Sequence, residues 1–368
     1  MYKSIQASRA AAAILVVLFH LGGIIALPKY FATPVFDTLF AAGDAGVEFF
    51  FVLSGFIIFT AHSTDVGRPA RLGSFLRKRF TRIFPIYWIV FIAVYLAALA
   101  TPSLRNSVPH DSWVLLKSLA LVPQNPLDVG GTGAPVLFVA WTLQYEMFFY
   151  TFFALLIFSR PAAVVGAICV SALYLGCQIS ASCSAFPLSF LSSDYIPLFA
   201  MGMAVAALAK HRQVKQALFY FLVGVAFFVL VSADKVLHID KLTHWKTLLF
   251  GLASSMMVFG LVSMENAGRV LGGNRIAQRL GEASFALYLI HVPIISLMLK
   301  IFVMMQFRSL GFVGAAVAYV LTLACCIGAA MLIHVWLEKP LGIFFRSRMR
   351  LANPEKAKNS SEKAPVVV

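Results

Sequence analysis

Ten runs of apolar residues follow one another along the chain, each near the length that a bilayer core demands. They lie at about 8–28, 44–62, 83–101, 137–158, 162–180, 193–209, 216–233, 245–264, 283–306 and 311–334. Within each run the apolar residues are continuous rather than alternating. The runs therefore read as α-helices, which satisfy their backbone within lipid, and not as strands of a membrane barrel. The pattern predicts an all-α polytopic membrane protein with about ten transmembrane helices. The longest connection, 102–136, is rich in Pro and Gly and carries an apolar patch at Trp113–Val122 that suits the membrane surface. We expect one membrane domain over 1–345 and a basic cytoplasmic tail over 346–368, polar enough to stay unfolded.

Composition sharpens this picture. The chain is 60% hydrophobic and 12% charged, with mean hydropathy +0.86, whereas a soluble domain is about a quarter charged. The net charge of +15 does not point to nucleic acid, because the bases sit between apolar runs and no basic soluble domain is visible. With the N-terminus in the cytoplasm, most of the 30 lysines and arginines fall on cytoplasmic segments. That asymmetry predicts an N-in, C-in topology. Lys3, Arg9 and the apolar run behind them resemble a signal peptide. The run continues to Leu27 without a small-residue cleavage site, so a retained span is expected. Among the five cysteines, Cys177 and Cys183 flank a short loop and can pair if it faces outside. No spacing suggests a metal site.

Ionisable residues inside the apolar runs are costly and mark candidate chemistry. The first run reads Arg9-AAAAILVVLF-His20. Eleven residues make about three helical turns, so the two side chains share a face, roughly 16 Å apart. We expect Arg9 at the membrane surface and a pathway or reactive centre at His20. Glu48 in the second run reaches a similar depth if the first two helices pack antiparallel, and a carboxylate there would orient the imidazole. A structural hydrogen bond is the plainer alternative. Ser54-Gly55 is a small pair that lets helices approach closely. Arg77, Lys78, Arg79 and Arg82 stand before the third run, where they suit either a phosphate-bearing ligand or a topology signal. Trp141 and Glu146 open the fourth run, and Glu146 suits acceptor hydroxyls or a neighbouring helix equally. Ser284, Tyr288 and His291 fall on one face of the ninth run. Glu338 could pair with the loop arginines. His62 and the other histidines near helix ends receive no role. A buried base and a separate cluster of cations suit group transfer from a phosphorylated cytoplasmic donor.

At these residues the chain resembles the acyltransferase-3 family of integral-membrane acyltransferases, in particular its O-acetyltransferases of bacterial exopolysaccharide and lipopolysaccharide. The likeness covers about 4–345. It is carried by Arg9-x10-His20, GVEFFFVLSGF at 46–56, Arg79-x-x-Arg82 with IFPIYW behind it, WTLQYEMFFY at 141–150, SFALYLIH at 284–291 and Glu338-x-Pro340. The resemblance implies ten spans in the bacterial inner membrane and acyl-CoA, usually acetyl-CoA, as donor. It implies His20 as catalytic, with Glu48 as its acidic partner, and Arg9, Arg79 and Arg82 as donor-binding. Glu48 stands where many relatives have Asp. Glu146, Trp141, Ser284, Tyr288 and His291 are expected at the substrate. Some relatives carry a fused SGNH-type esterase domain; none is recognisable here, so the chain is expected to finish transfer itself or with a partner. Expected partners are a glycan or lipid-linked oligosaccharide acceptor, membrane lipids and polysaccharide-assembly proteins. Two rivals stay open: a proton-coupled transporter of acyl groups or small anions, and a relative acting on a lipid, peptide or secondary metabolite.

Overall fold

Among the described residues, the ten apolar runs form ten helices long and apolar enough to cross a membrane. The structure, a computed structural model, describes residues 2–351 apart from 103, 181–182, 212–213 and 240; most of the expected tail lies outside the described residues. The helices are α1 (Lys3–Ile25), α2 (Gly46–His62), α3 (Leu72–Ala100), α4 (Trp141–Phe158) and α5 (Arg160–Ile179). They continue with α6 (Tyr195–His211), α7 (Ala217–Val236), α8 (Lys246–Asn266), α9 (Ser284–Met304) and α10 (Gly311–Ile333). No strand occurs among the described residues.

Helix α1 runs through the centre and packs against α2, α8, α9 and α10. It begins at Lys3, five residues before its apolar run, because its first turn is anchored. The Glu265 carboxylate accepts from the backbone amides of Lys3 (2.7 Å) and Ser4 (2.8 Å). These amides have no partner within the helix, and a carboxylate also complements the positive end of the helix dipole. Farther along, the Tyr319 hydroxyl of α10 donates to the Leu18 carbonyl at 3.0 Å.

Close approach between helices is achieved with glycine, as expected for Ser54-Gly55. A Cβ on Gly55 would collide with the Phe199 carbonyl of α6, and one on Gly202 with the Val52 carbonyl of α2. A Cβ on Gly46 would stand 2.6 Å from the Ala12 carbonyl of α1. Helix α2 is thus gripped on both sides with almost no room. Helix α5 sits at the periphery and leaves Val164, Val165, Ile168 and Leu175 exposed, an apolar face suited to lipid. Cys177 and Cys183 form a disulfide across the loop after α5.

Two boundaries differ from expectation in ways that matter for the site. Helix α3 starts at Leu72, about three turns before its apolar run, and contains Pro85. The basic residues 77–82 therefore lie on a helix rather than in a loop; their charge hides the helix from a hydropathy reading. The connection 102–136 is not loose. Its short helix Ser112–Leu119 is tied to α3 by the Tyr87 hydroxyl donating to the Ser118 carbonyl (2.7 Å) and the Trp88 indole N–H donating to the Leu119 carbonyl (2.9 Å). Trp113 and Leu116 remain exposed on its outer face.

Gly55→Ala and Gly202→Ala are expected to lower the unfolding temperature of the detergent-solubilised protein, at the cost of about 1–3 kcal/mol typical of overpacking. Gly176→Ala, which meets nothing within 4 Å and gains helix propensity, should not lower it.

Candidate active site

Helices α1, α2, α3, α4, α6 and α9 line a cavity of about 750 Å³, counted out to its mouth. Its walls hold three guanidinium groups, Arg9, Arg79 and Arg82, and one carboxylate, Glu146. Placing Arg79 and Arg82 three residues apart on α3 puts them on one helix face, while Arg77 and Lys78 point to solvent. Arg9 is buried within the helix bundle, at 9% exposure. Among the described residues its one hydrogen bond is a long one from Nη1 to the Gln6 Oε1 (3.4 Å). Arg82 makes no hydrogen bond or ion pair among the described residues. The walls therefore carry a surplus of two positive charges, with guanidinium donors left over for an anion.

Glu146 accepts from the Ser54 hydroxyl of α2 (3.3 Å) and from the Tyr150 hydroxyl one turn along α4. The Tyr288 hydroxyl of α9 accepts from Thr142 (2.9 Å) and donates to the Val139 carbonyl (3.1 Å), and both Tyr288 and Thr142 line the cavity. Ser284, on the same wall, donates to the Gly281 carbonyl (2.8 Å).

His20 lies beyond this wall, three turns along α1 from Arg9. The link runs through α9: the Tyr288 and His291 rings are 5.8 Å apart, and the His291 and His20 rings 5.0 Å. Hydrogen-bond accounting fixes both imidazoles. His291 Nδ1 meets the Leu287 carbonyl at 3.1 Å, so Nδ1 carries the proton and donates. His291 Nε2 is then an acceptor. His20 Nδ1 meets two acceptors, the Val16 carbonyl (2.9 Å) and His291 Nε2 (3.3 Å), and must carry its own proton. The lone pair of His20 is left on Nε2, which has no partner among the described residues and is not sealed from solvent. Phe138, at the end of the 102–136 connection, sits edge-on to the His20 ring at 6.1 Å. The arrangement is that of a neutral base held in one tautomer with its basic nitrogen open.

Several expectations need correction. Glu48 does not orient His20. Gly43 packs against Leu15 and Phe19, and Gly46 against Ala12 and Val16; that register leaves Glu48 about two turns below the imidazole. Its place is taken by His291, which is fully buried, has both nitrogens engaged and so touches His20 rather than a substrate. Trp141 does not line the cavity but packs with Phe51, Tyr145 and Tyr195 beside it. Glu338 pairs with His334 (2.9 Å) rather than with the arginines of α3. Sequence reasoning missed His62, which is buried against Asp65 (2.8 Å) and Arg79 (3.0 Å). Among the described residues no three His, Cys, Asp or Glu side chains converge as a metal site requires.

Comparison with known proteins identifies the family. The sequence profile of the family described as "Acyltransferase domain" (Acyl_transf_3) matches residues 2–331. The exopolysaccharide production protein ExoZ of Rhizobium meliloti (strain 1021) is 32% identical over 272 residues, 71% of this chain and 79% of that protein. The acyltransferase MdmB of Streptomyces mycarofaciens is 31% identical over 118 residues, 31% of this chain and 28% of that protein. No solved structure matches. A charged cavity among membrane helices, an open imidazole beyond it and a profile match over nearly the whole length lead to one assignment: the chain belongs to the acyltransferase-3 family of membrane acyltransferases.

Proposed function

We propose that this protein is an O-acyltransferase of the bacterial inner membrane. It moves an acyl group, acetyl by preference, from acyl-CoA to a hydroxyl of a cell-surface glycan or its lipid-linked precursor. The observation that carries the reading is the state of His20: Nδ1–H is pinned by two acceptors and Nε2 is left open as a base. The name of ExoZ, an exopolysaccharide production protein, supports a glycan acceptor. The distribution of lysine and arginine supports an N-in topology, with the arginine-lined cavity facing the cytoplasmic donor.

In this reading Arg9, Arg79 and Arg82 hold the phosphates of CoA by charge-assisted hydrogen bonds. The thioester, on the flexible arm of the donor, passes along the Tyr288 wall towards His20. The acceptor hydroxyl attacks the thioester carbonyl carbon while His20 Nε2 takes its proton. The new C–O bond forms, the C–S bond breaks, and the proton held on Nε2 passes to the departing thiolate. His291 keeps the Nδ1–H tautomer in place throughout, because the imidazolium still donates from Nδ1 to the same two acceptors. Glu146 and Ser54 line the cavity and can bind hydroxyl or amide groups of the donor or acceptor.

His20→Ala should lower transfer by about 10²- to 10⁴-fold, the usual contribution of a positioned base, while acetyl-CoA still binds. The check is the acetyl-ester content of surface glycans, by mass spectrometry, in cells carrying either version, with acetyl-CoA affinity of the purified proteins alongside. Wild-type ester content with His20→Ala present would sink the role. Arg82→Ala should weaken acetyl-CoA binding roughly tenfold or more, since a hydrogen bond to a charged group contributes about 1.5–3 kcal/mol. Calorimetry on the purified chain reads this directly, and unchanged affinity would remove Arg82 from the donor site.

A further inference from the structure

We propose that His62 is a positioning residue for the acyl donor: it holds the Arg79 guanidinium in the cavity, and Asp65 holds His62 in the tautomer that lets it do so. This rests on reading the arginine-lined cavity as the donor site.

His62 is the last residue of α2, on the side of the molecule where α3 begins. It is 3% exposed, and its ring stands edge-on to Phe75 at 5.1 Å. Its two nitrogens have different partners. Nε2 faces the Arg79 Nη2 at 3.0 Å, and Nδ1 faces the Asp65 Oδ2 at 2.8 Å. A guanidinium only donates, so His62 Nε2 must accept. The proton then sits on Nδ1 and donates to Asp65. The carboxylate thus acts on Arg79 through the imidazole, selecting the one neutral form that can receive its N–H.

Asp65 is itself fixed. The turn it belongs to is clamped to the far end of α4 and the start of α5: the Gly67 amide donates to the Leu156 carbonyl (3.1 Å), and the Arg160 guanidinium donates to the Val66 carbonyl (3.0 Å). Arg79 in turn lies over the rings of Phe75 (5.7 Å) and Tyr150 (5.6 Å). Tyr150 is the residue whose hydroxyl donates to Glu146. Flanking rings fix the plane of the guanidinium and His62 fixes one edge. The buried Nε–H has no partner among the described residues, so this geometry is not built merely to satisfy the arginine. The contrast with Arg77 and Lys78 is physical: they are on the same helix, without such a frame, and extend into solvent. A free arginine side chain carries about 2 kcal/mol of rotamer entropy, and ordering it before the donor arrives removes that cost from binding.

The test is coenzyme A binding to the full-length protein by calorimetry, with thermal melting as a check on folding. His62→Phe keeps the ring and removes the acceptor; it should raise Kd about five- to tenfold. Arg79→Ala should raise it at least as much, and His62→Phe added to Arg79→Ala should change nothing further, because the two act as one unit. His62→Gln, whose Oε1 can stand where Nε2 stood, should restore most of the affinity. His62→Asn, whose shorter side chain places its oxygen near the Nδ1 position, should not; this pair keeps the test alive if His62→Phe fails to fold. A raised Kd for Arg79→Ala with an unchanged Kd for the His62 variants, or full additivity, overturns the proposal while leaving the donor site standing. An unchanged Kd for Arg79→Ala overturns the donor-site reading itself.

Discussion

Everything in this molecule is arranged around the cost of carrying a guanidinium and an imidazole on one helix through a low-dielectric bundle. Helix α1 places Arg9 and His20 on one side, three turns apart, and neither can be left bare in lipid. The protein meets the two demands differently. Around Arg9 it opens a cavity and adds two more arginines, which leaves the positive charge for a ligand to neutralise. Around His20 it supplies acceptors for one nitrogen only, a backbone carbonyl from α1 and an imidazole from α9. The surrounding helices then follow: α2 is pinned by glycine contacts, and α9 brings Tyr288 and His291 together at the wall between the two groups.

Two histidine arrangements in this fold obey the same logic. In each, one partner whose role is fixed by chemistry sets the tautomer of the ring. For His291 it is the Leu287 carbonyl, which can only accept; for His62 it is the Arg79 guanidinium, which can only donate. The consequence is opposite. His291 passes its acceptor to His20 and leaves His20 basic on the open side, whereas His62 spends its acceptor on Arg79 and leaves the cation in place. In the proposed mechanism the first prepares a proton transfer and the second prepares a binding surface.

The ten apolar helices were legible in the sequence as continuous apolar runs, Arg9, His20 and Glu146 as isolated polar groups inside them, and Arg79 and Arg82 as part of a basic cluster just before the third. What the sequence could not supply was register between helices. Glu48 and His20 lie at plausible depths if α1 and α2 are simply antiparallel, yet the glycine contacts slide Glu48 about two turns away. His291 was visible as one of three polar residues on a face, but its burial and its contact with a residue 271 positions away come only from tertiary packing. His62 gave one weak local signal, Asp65 three residues on; its link to Arg79 depends on α3 starting about three turns earlier than its hydropathy suggests. Charged turns at helix ends are where hydropathy is least informative, and in this chain they carry part of the site.

The central claim is directional: the phosphate end of an acyl donor rests among Arg9, Arg79 and Arg82, and its acyl end reaches His20. Photocrosslinking the purified protein with two acyl-CoA probes, one reactive at the adenine and one at the acyl group, followed by peptide mass spectrometry, tests this directly. The account predicts adenine-end labels on the first turns of α3 or the start of α1, and acyl-end labels around His20, Phe138 and Tyr288. Labels from both probes at the same end of the cavity, or labels confined to lipid-facing residues of α5, would contradict it.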